Sequence, residues 1–274
     1  MTIASSGCHV VTNYPDPVGP RYAGTVRDAS PPEDTLVVVT FNVEHGERVL
    51  RAIEALRADS VTREADIVLL QEMDAAGTRR VAEALAMDWV YYPAREGRDG
   101  DDVGNAVLSR WPIVEDEKLV LPHLAVFGGS QRIATAATVR IGGSTLRVYS
   151  VHLATPVNLT PGKREDQLHA VLEDAAAYPR VVIGGDLNSH GLGHGAVERG
   201  YAWPTRDGPA TVFLFRWDHI LHRGLQSPPE AAGTVLDNRG ASDHRPVWAR
   251  VALDDRPVSA AFPGTRLSNR GGQP

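Results

Sequence analysis

What most constrains this chain is a repeated pattern: short apolar runs, rich in valine, each closing on an amide, an acid or a histidine. Leu36 to Val43 contains Asn42 and is followed at once by Glu44. Ile67 to Leu70 runs into Gln71-Glu72, and Leu146 to Val151 ends at His152. Val181 to Ile183 runs into Gly184-Gly185-Asp186-Leu187-Asn188. Asp218-His219 and Ser242-Asp243-His244 follow nearer the C-terminus. Runs this short and this apolar are buried strands. Polar groups at the ends of buried strands are costly unless each is paired. In a sheet-based fold they converge at one rim, where a site can form.

Helical stretches separate these runs. Val49, Leu50, Ile53 and Leu56 recur with helical spacing, and Asp74 is placed to cap a helix in which Val81 and Leu85 share a face. Thr160-Pro161 reads as a helix start, with Leu168, Val171, Leu172 and Ala175 as its buried stripe. Further strands are expected at Asn105 to Leu108, Ala134 to Ile141, Leu146 to Leu153, His219 to Leu221 and Val247 to Leu253, with a hairpin turn at Gly142-Gly143. The pattern by itself predicts an α/β fold with at least one mixed sheet. Residues 1–34 are proline-rich and aperiodic and read as an irregular arm or leader. Residues 35–253 read as one domain, and 254–274 as a loose tail.

The residue types at the run ends define a chemistry. Carboxylates and amide oxygens without cysteine suit a hard cation, Mg²⁺ or Mn²⁺, rather than structural zinc. Histidines beside them can donate to phosphate oxygens or move protons. Together they supply what metal-assisted phosphoester hydrolysis needs. Each position also has a plainer explanation: Asn42 as a turn residue, Glu72 as a helix-entry acid, His152 as a hydrogen-bonded strand end. Six such explanations would have to hold in one chain order.

Composition narrows the partners. The formal net charge of −6 opposes a polyanion or an anionic membrane surface as a whole-molecule partner. Lys118 and Lys163 are the only lysines, so the positive charge is nearly all arginine. With Cys8 as the single cysteine there is no intrachain disulfide. No apolar run approaches the roughly 20 residues of a membrane span, and no obligate protein partner is evident. Ser6-Gly7-Cys8 before a polar, proline-rich segment is like the mature start of a bacterial lipoprotein, although the preceding apolar stretch is missing. As written, the sequence reads as cytoplasmic, and an extracytoplasmic lipoprotein would follow if the start site were truncated.

At these residues the chain resembles the endonuclease/exonuclease/phosphatase superfamily, whose members include deoxyribonuclease I, abasic-site endonucleases and neutral sphingomyelinases. The likeness runs from about Thr40 to Val251 through Thr40-Phe41-Asn42-Val43, Leu70-Gln71-Glu72, Gly104-Asn105-Ala106-Val107-Leu108-Ser109-Arg110, Arg132 and Val151-His152-Leu153. It continues through Gly185-Asp186-Leu187-Asn188, Trp217-Asp218-His219-Ile220 and Ser242-Asp243-His244-Arg245-Pro246-Val247. The resemblance implies a four-layer α-β-β-α sandwich with two mixed β-sheets. It implies Glu72 as the main metal ligand, with Asn42 and Asp243 close to the metal and Glu44 in a secondary metal role. Asp186 would orient or deprotonate the attacking water, and Asn188 would hold it. His244 would contact the scissile phosphate, its ring oriented by Asp218, with His152 as a second phosphate donor and general acid.

The expected activity is that of a phosphodiesterase or nuclease using Mg²⁺ or Mn²⁺. The substrate is a phosphoester: nucleic acid, a small phosphodiester or a phospholipid head group. A phosphomonoesterase or a sphingomyelinase-like phospholipid esterase is the alternative, and a non-catalytic binding module on the same fold the remote one. Ser189-His190-Gly191 departs from the inositol phosphatase pattern, and the acidic stretch Asp99 to Asp102 offers no basic DNA-binding loop.

Overall fold

In the computed structural model, which describes residues 11–25, 34–97, 100–228 and 231–253, the apolar runs become strands. In chain order these are β1 (Tyr22–Gly24), β2 (Thr35–Asn42), β3 (Ile67–Met73), β4 (Asp88–Glu96), β5 (Asp102–Ser109), β6 (Ile113–Val120) and β7 (Ile133–Ile141). They continue with β8 (Ser144–His152), β9 (Val181–Asp186), β10 (Asp218–Arg223), β11 (Leu225–Gln226), β12 (Ala232–Thr234) and β13 (Val247–Leu253). The α-helices are α1 (Val49–Ala58), α2 (Ala75–Leu85), α3 (Pro161–Ala175) and α4 (Gly193–Val197).

Two sheets form. One has the order β1-β4-β5-β3-β2-β13-β11, with β12 also pairing β13; the other runs β10-β9-β8-β7-β6. Each contains one parallel pair, β2 with β3 and β8 with β9, among antiparallel ones, so both are mixed. Strand periodicity then sorts the side chains into layers. Leu36, Val38, Ile67 and Leu69 face Val148, Val182 and Ile220 of the other sheet and fill the space between them. Val37, Val39, Val68 and Leu70 point the opposite way, onto Ile53 and Leu56 of α1 and Val81 of α2. On the outer face of the second sheet, Tyr149, Val151 and Ile183 pack on Leu168, Val171 and Leu172 of α3 and Ala196 of α4. The result is the four-layer α-β-β-α sandwich, and truncating one of its buried leucines would cost about 2–5 kcal/mol.

Local signals work as expected at several boundaries. Asp74 caps α2 by accepting a hydrogen bond from the Gly77 N–H, and Pro161 opens α3. Gly142 takes φ 57° in the β7–β8 turn. Other elements carry no clear sequence signal. In β4, Pro93 interrupts the run, and the strand bulges between Pro93 and Arg95. At the edge of its sheet, β6 reads Ile-Val-Glu-Asp-Glu-Lys-Leu-Val, charged as an edge strand tolerates. Within residues 1–34, expected to be an irregular arm, Tyr22–Gly24 pairs with β4 as an edge strand. Residues 1–10, Cys8 among them, and the tail 254–274 lie outside the described residues. Among the described residues no helix is long and apolar enough to cross a membrane.

A polar layer joins the two sheets beneath one rim. Gln71 Nε2 donates to Ser150 Oγ at 2.9 Å, and Ser150 Oγ donates to the Leu70 carbonyl at 2.8 Å. Asn105 Nδ2 donates to the carbonyls of Ile133 and Ser150. These buried groups satisfy one another across the interface, which holds the sheets in one register.

Candidate functional site

The register places the run-ending residues in a row. Asp218 pairs with Asp186, and Asp186 with His152, at one rim of the second sheet. In the first sheet Asn42 pairs with Gln71, the residue before Glu72. Face-to-face packing then brings the two rows together. Asn42 Nδ2 donates to Asp186 Oδ2 at 3.2 Å and to Glu72 Oε1 at 3.4 Å.

Backbone irregularities aim the acids. Glu72 sits in a bulge of β3 against β5 and takes φ 56°, a left-handed conformation unfavourable for a side chain of its size. Asn188, one residue beyond Leu187, also takes a left-handed conformation, at φ 49°, which asparagine tolerates better than glutamate. Its N–H donates to Asp186 Oδ1 at 2.8 Å and its Nδ2 to the Leu153 carbonyl at 3.0 Å. Strain held in place by such bonds is typical of functional positions.

Two histidines face the carboxylates in opposite states. His152 Nε2 lies 3.5 Å from Asp186 Oδ2 and 3.8 Å from Glu72 Oε1. Arg132 Nη1 donates to His152 Nδ1 at 3.0 Å, so the ring carries its proton on Nε2. Burial first, and then the Arg132 charge, hold His152 well below the usual histidine range, as a neutral donor. At His244, burial acts to lower the pKa, but Asp218 overcomes it and raises the ring to about 10. His244 Nδ1 donates to Asp218 Oδ2 at 2.8 Å, and its Nε2 lies 3.8 Å from Asp186 Oδ2. Asp186 is pushed up to about 7 by burial first and by the Asp218 charge next.

Asp186, Asp218 and His244 each offer one ligand atom, all within 4.8 Å of one another, and form a potential metal-binding site. Asp218 Oδ1 is buried with no hydrogen-bond partner among the described residues. Glu72 adds a third carboxylate, within reach of the Asn42 amide and the His152 ring that also meet Asp186. A set of carboxylate and amide oxygens, with no cysteine among them, fits a hard divalent cation.

The structure brings Asn42, Glu72, His152, Asp186, Asn188, Asp218 and His244 into one cluster. Glu44 and Asp243 stand further out. Glu44 Oε2 is engaged by Arg48 at 3.1 Å and by the Asp243 N–H at 3.2 Å. The Asp243 carboxylate is exposed, 4.0 Å from His244 Nε2. Sequence reasoning missed His45, whose Nε2 lies 3.4 Å from Glu72 Oε2, and Thr211. Thr211 Oγ1 accepts from the N–H groups of Trp217 and Asp218 and so sets the entry into β10. Its neighbours in sequence gave no signal of that role. Trp203 is a core residue: its Nε1 donates to His219 Nδ1 at 3.2 Å.

A family model described as the Endonuclease/Exonuclease/phosphatase family matches residues 39–244. Comparison with curated proteins gave no match. Among solved structures, an endonuclease/exonuclease/phosphatase from Beutenbergia cavernae is similar at TM-score 0.69 and 22% identity, over 83% of this chain and 74% of that one. TDP2 from D. rerio, solved with a single strand DNA product, aligns at TM-score 0.63 and 18% identity, over 81% and 100% of the two chains. A mannosyl-6-phosphatase from Bacteroides thetaiotaomicron aligns at TM-score 0.58 and 18% identity, over 80% and 99%.

Proposed function

Because the chain belongs to the endonuclease/exonuclease/phosphatase family, a family of metal-dependent phosphoester hydrolases, we propose that it cleaves phosphodiesters with Mg²⁺ or Mn²⁺. The observation that carries this reading is the convergence of two histidines on one carboxylate, with His152 Nε2 3.5 Å and His244 Nε2 3.8 Å from Asp186 Oδ2.

Glu72 and Asn42 would hold the metal, with Asp243 and Glu44 at its outer edge. When bound, the ion would offset negative charge on the phosphoryl oxygens. Every other role falls to side chains of this chain. Asp186, ionising near neutrality, accepts a proton from the attacking water, which Asn188 helps to position. His244, kept protonated through Nδ1 by Asp218, turns its Nε2–H toward the phosphate and donates to a non-bridging oxygen. His152 presents a second N–H from the opposite side. Because burial, and then the Arg132 charge, keep its ring neutral, His152 acts as a hydrogen-bond donor rather than as a strong acid. Glu44 holds the Asp243 backbone and keeps the His244 loop in place.

The test is hydrolysis of bis-p-nitrophenyl phosphate, p-nitrophenyl phosphate, plasmid DNA, single-stranded RNA and sphingomyelin with Mn²⁺, before and after EDTA. Metal-dependent cleavage of a diester is expected, and Asp186→Asn or His244→Ala should lower kcat by about 10²–10⁴ without unfolding the domain. Near wild-type turnover in both variants, or undiminished activity in metal-free protein, would overturn the mechanism.

A further inference from the structure

The polar cluster opens between two apolar projections that the proposed chemistry does not use. One is the tight turn Val212–Phe215, closed by hydrogen bonds from the Val212 N–H to the Phe215 carbonyl (3.1 Å) and from the Phe215 N–H to the Val212 carbonyl (2.7 Å). Its tip residues Phe213 and Leu214 are 81% and 74% exposed. Phe213 takes φ 46°, a conformation that a bulky side chain rarely adopts. The tip is braced from below, since Phe215 stacks on Trp217 with ring centroids 4.7 Å apart and planes 11° from parallel. Trp217 immediately precedes Asp218.

The other projection is built from two loops. Leu124, Val126 and Phe127, between β6 and β7, are exposed, as is Val157 in the loop after His152. The Val126 N–H donates to the Asn158 carbonyl at 3.2 Å and ties the loops together. Strand order fixes where the projections stand. The first rises from the start of β10 and the second from the end of β6, at the two edges of the five-stranded sheet. His152 and Asp186 lie between them on the same rim. Four strand spacings separate β10 from β6, about 19 Å.

What covers these tips must also deliver a phosphoester to the site between them. A single small phosphodiester is too short to touch both. A nucleic acid is long enough, but four of the six tip residues are aliphatic and offer no face for base stacking, and the net charge of −6 opposes a polyanion. A zwitterionic lipid surface meets neither objection. It carries no net charge, it presents phosphodiesters at its polar boundary, and leucine, valine and phenylalanine bury at the acyl edge just beneath.

We infer that this rim docks on a zwitterionic phospholipid surface, the two apolar tips entering it on either side of a head-group phosphodiester. The inference rests on the phosphodiesterase reading for what reacts, whereas docking itself needs no turnover.

The experiment measures co-sedimentation with phosphatidylcholine vesicles for the wild-type protein, for Phe213→Glu with Leu214→Glu, and for Val126→Glu with Phe127→Glu. Hydrolysis of soluble bis-p-nitrophenyl phosphate and binding of a single-stranded oligonucleotide are followed in parallel. Each double substitution should weaken vesicle partition by about a hundredfold, and the soluble rate should stay within about twofold of wild type because neither pair touches the polar cluster. Adding phosphatidylserine should weaken partition further. A folded wild-type protein that ignores phosphatidylcholine, or partition unchanged in both variants, would overturn the inference. So would oligonucleotide binding that the same substitutions abolish. Partition without hydrolysis of any diester would leave docking standing and refute the chemistry instead.

Discussion

At His244 burial and charge compete, and Asp218 decides the outcome. A buried imidazole ordinarily loses its proton, yet the carboxylate 2.8 Å from Nδ1 holds this ring charged up to about pH 10. His152, a few ångströms away, has an arginine where His244 has an aspartate, and it stays neutral. Two residues of one type thus have opposite charge states because their partners differ. The signs give a pH profile. The proposed mechanism requires Asp186 ionised, and on that reading kcat/KM should rise with pH up to about 7. A bound cation moves that limb lower, because it favours the carboxylate. The same mechanism requires His244 protonated, so on that reading the rate should fall as pH passes about 10. Asp218→Asn removes the charge that opposes burial, and should shift the alkaline limb down by more than about one pH unit. An unmoved limb in that variant would separate His244 from the alkaline ionisation.

At the scale of elements, the site depends on strands that approach more closely than side chains allow. A Cβ added at Gly185 would lie 1.8 Å from the Val151 carbonyl oxygen, on the strand that ends in His152. The parallel β8–β9 pair would have to separate to admit it, and with it the spacing of His152 and Asp186. Gly185→Ala is therefore expected to cost about 3 kcal/mol or more in urea unfolding, as strained backbone positions do when filled. A variant as stable as wild type would mean that the pair can slide without penalty. Two consecutive glycines directly before an acid and an amide are themselves a sequence sign of close backbone approach. The bulge that aims Glu72 has no such sign, because a bulge arises only when β3 must pair with β5 while keeping its apolar face inward.

Across the whole molecule, the cluster is a property of the interface between the sheets. Asn42 and Glu72 come from one sheet and His152, Asp186 and Asp218 from the other, so an ion held between them would bind the folded state alone. Saturating Mn²⁺ at a hundred times its Kd would add about 2.7 kcal/mol. The Tm should therefore rise with Mn²⁺ and fall on chelation, and Glu72→Gln should flatten the response. Should Asp218→Asn flatten it while Glu72→Gln leaves it intact, the ion would belong to the Asp186, Asp218 and His244 group instead.

The sequence by itself determined that buried strands would end in acids, amides and histidines, because an apolar run and its polar terminus are local facts. That was enough to expect an α/β fold with a mixed sheet, while the resemblance carried by the same motifs implied the four-layer sandwich, the family and most of the cluster. Only the tertiary structure decided which partner each of those residues meets: arginine for His152, aspartate for His244, Arg48 and a backbone N–H for Glu44. It also decided that Phe213 and Leu214, unremarked as a short apolar segment, stand exposed beside the site. Charge state and exposure depend on neighbours distant in the chain. They are set by packing, which a reading of adjacent residues does not contain.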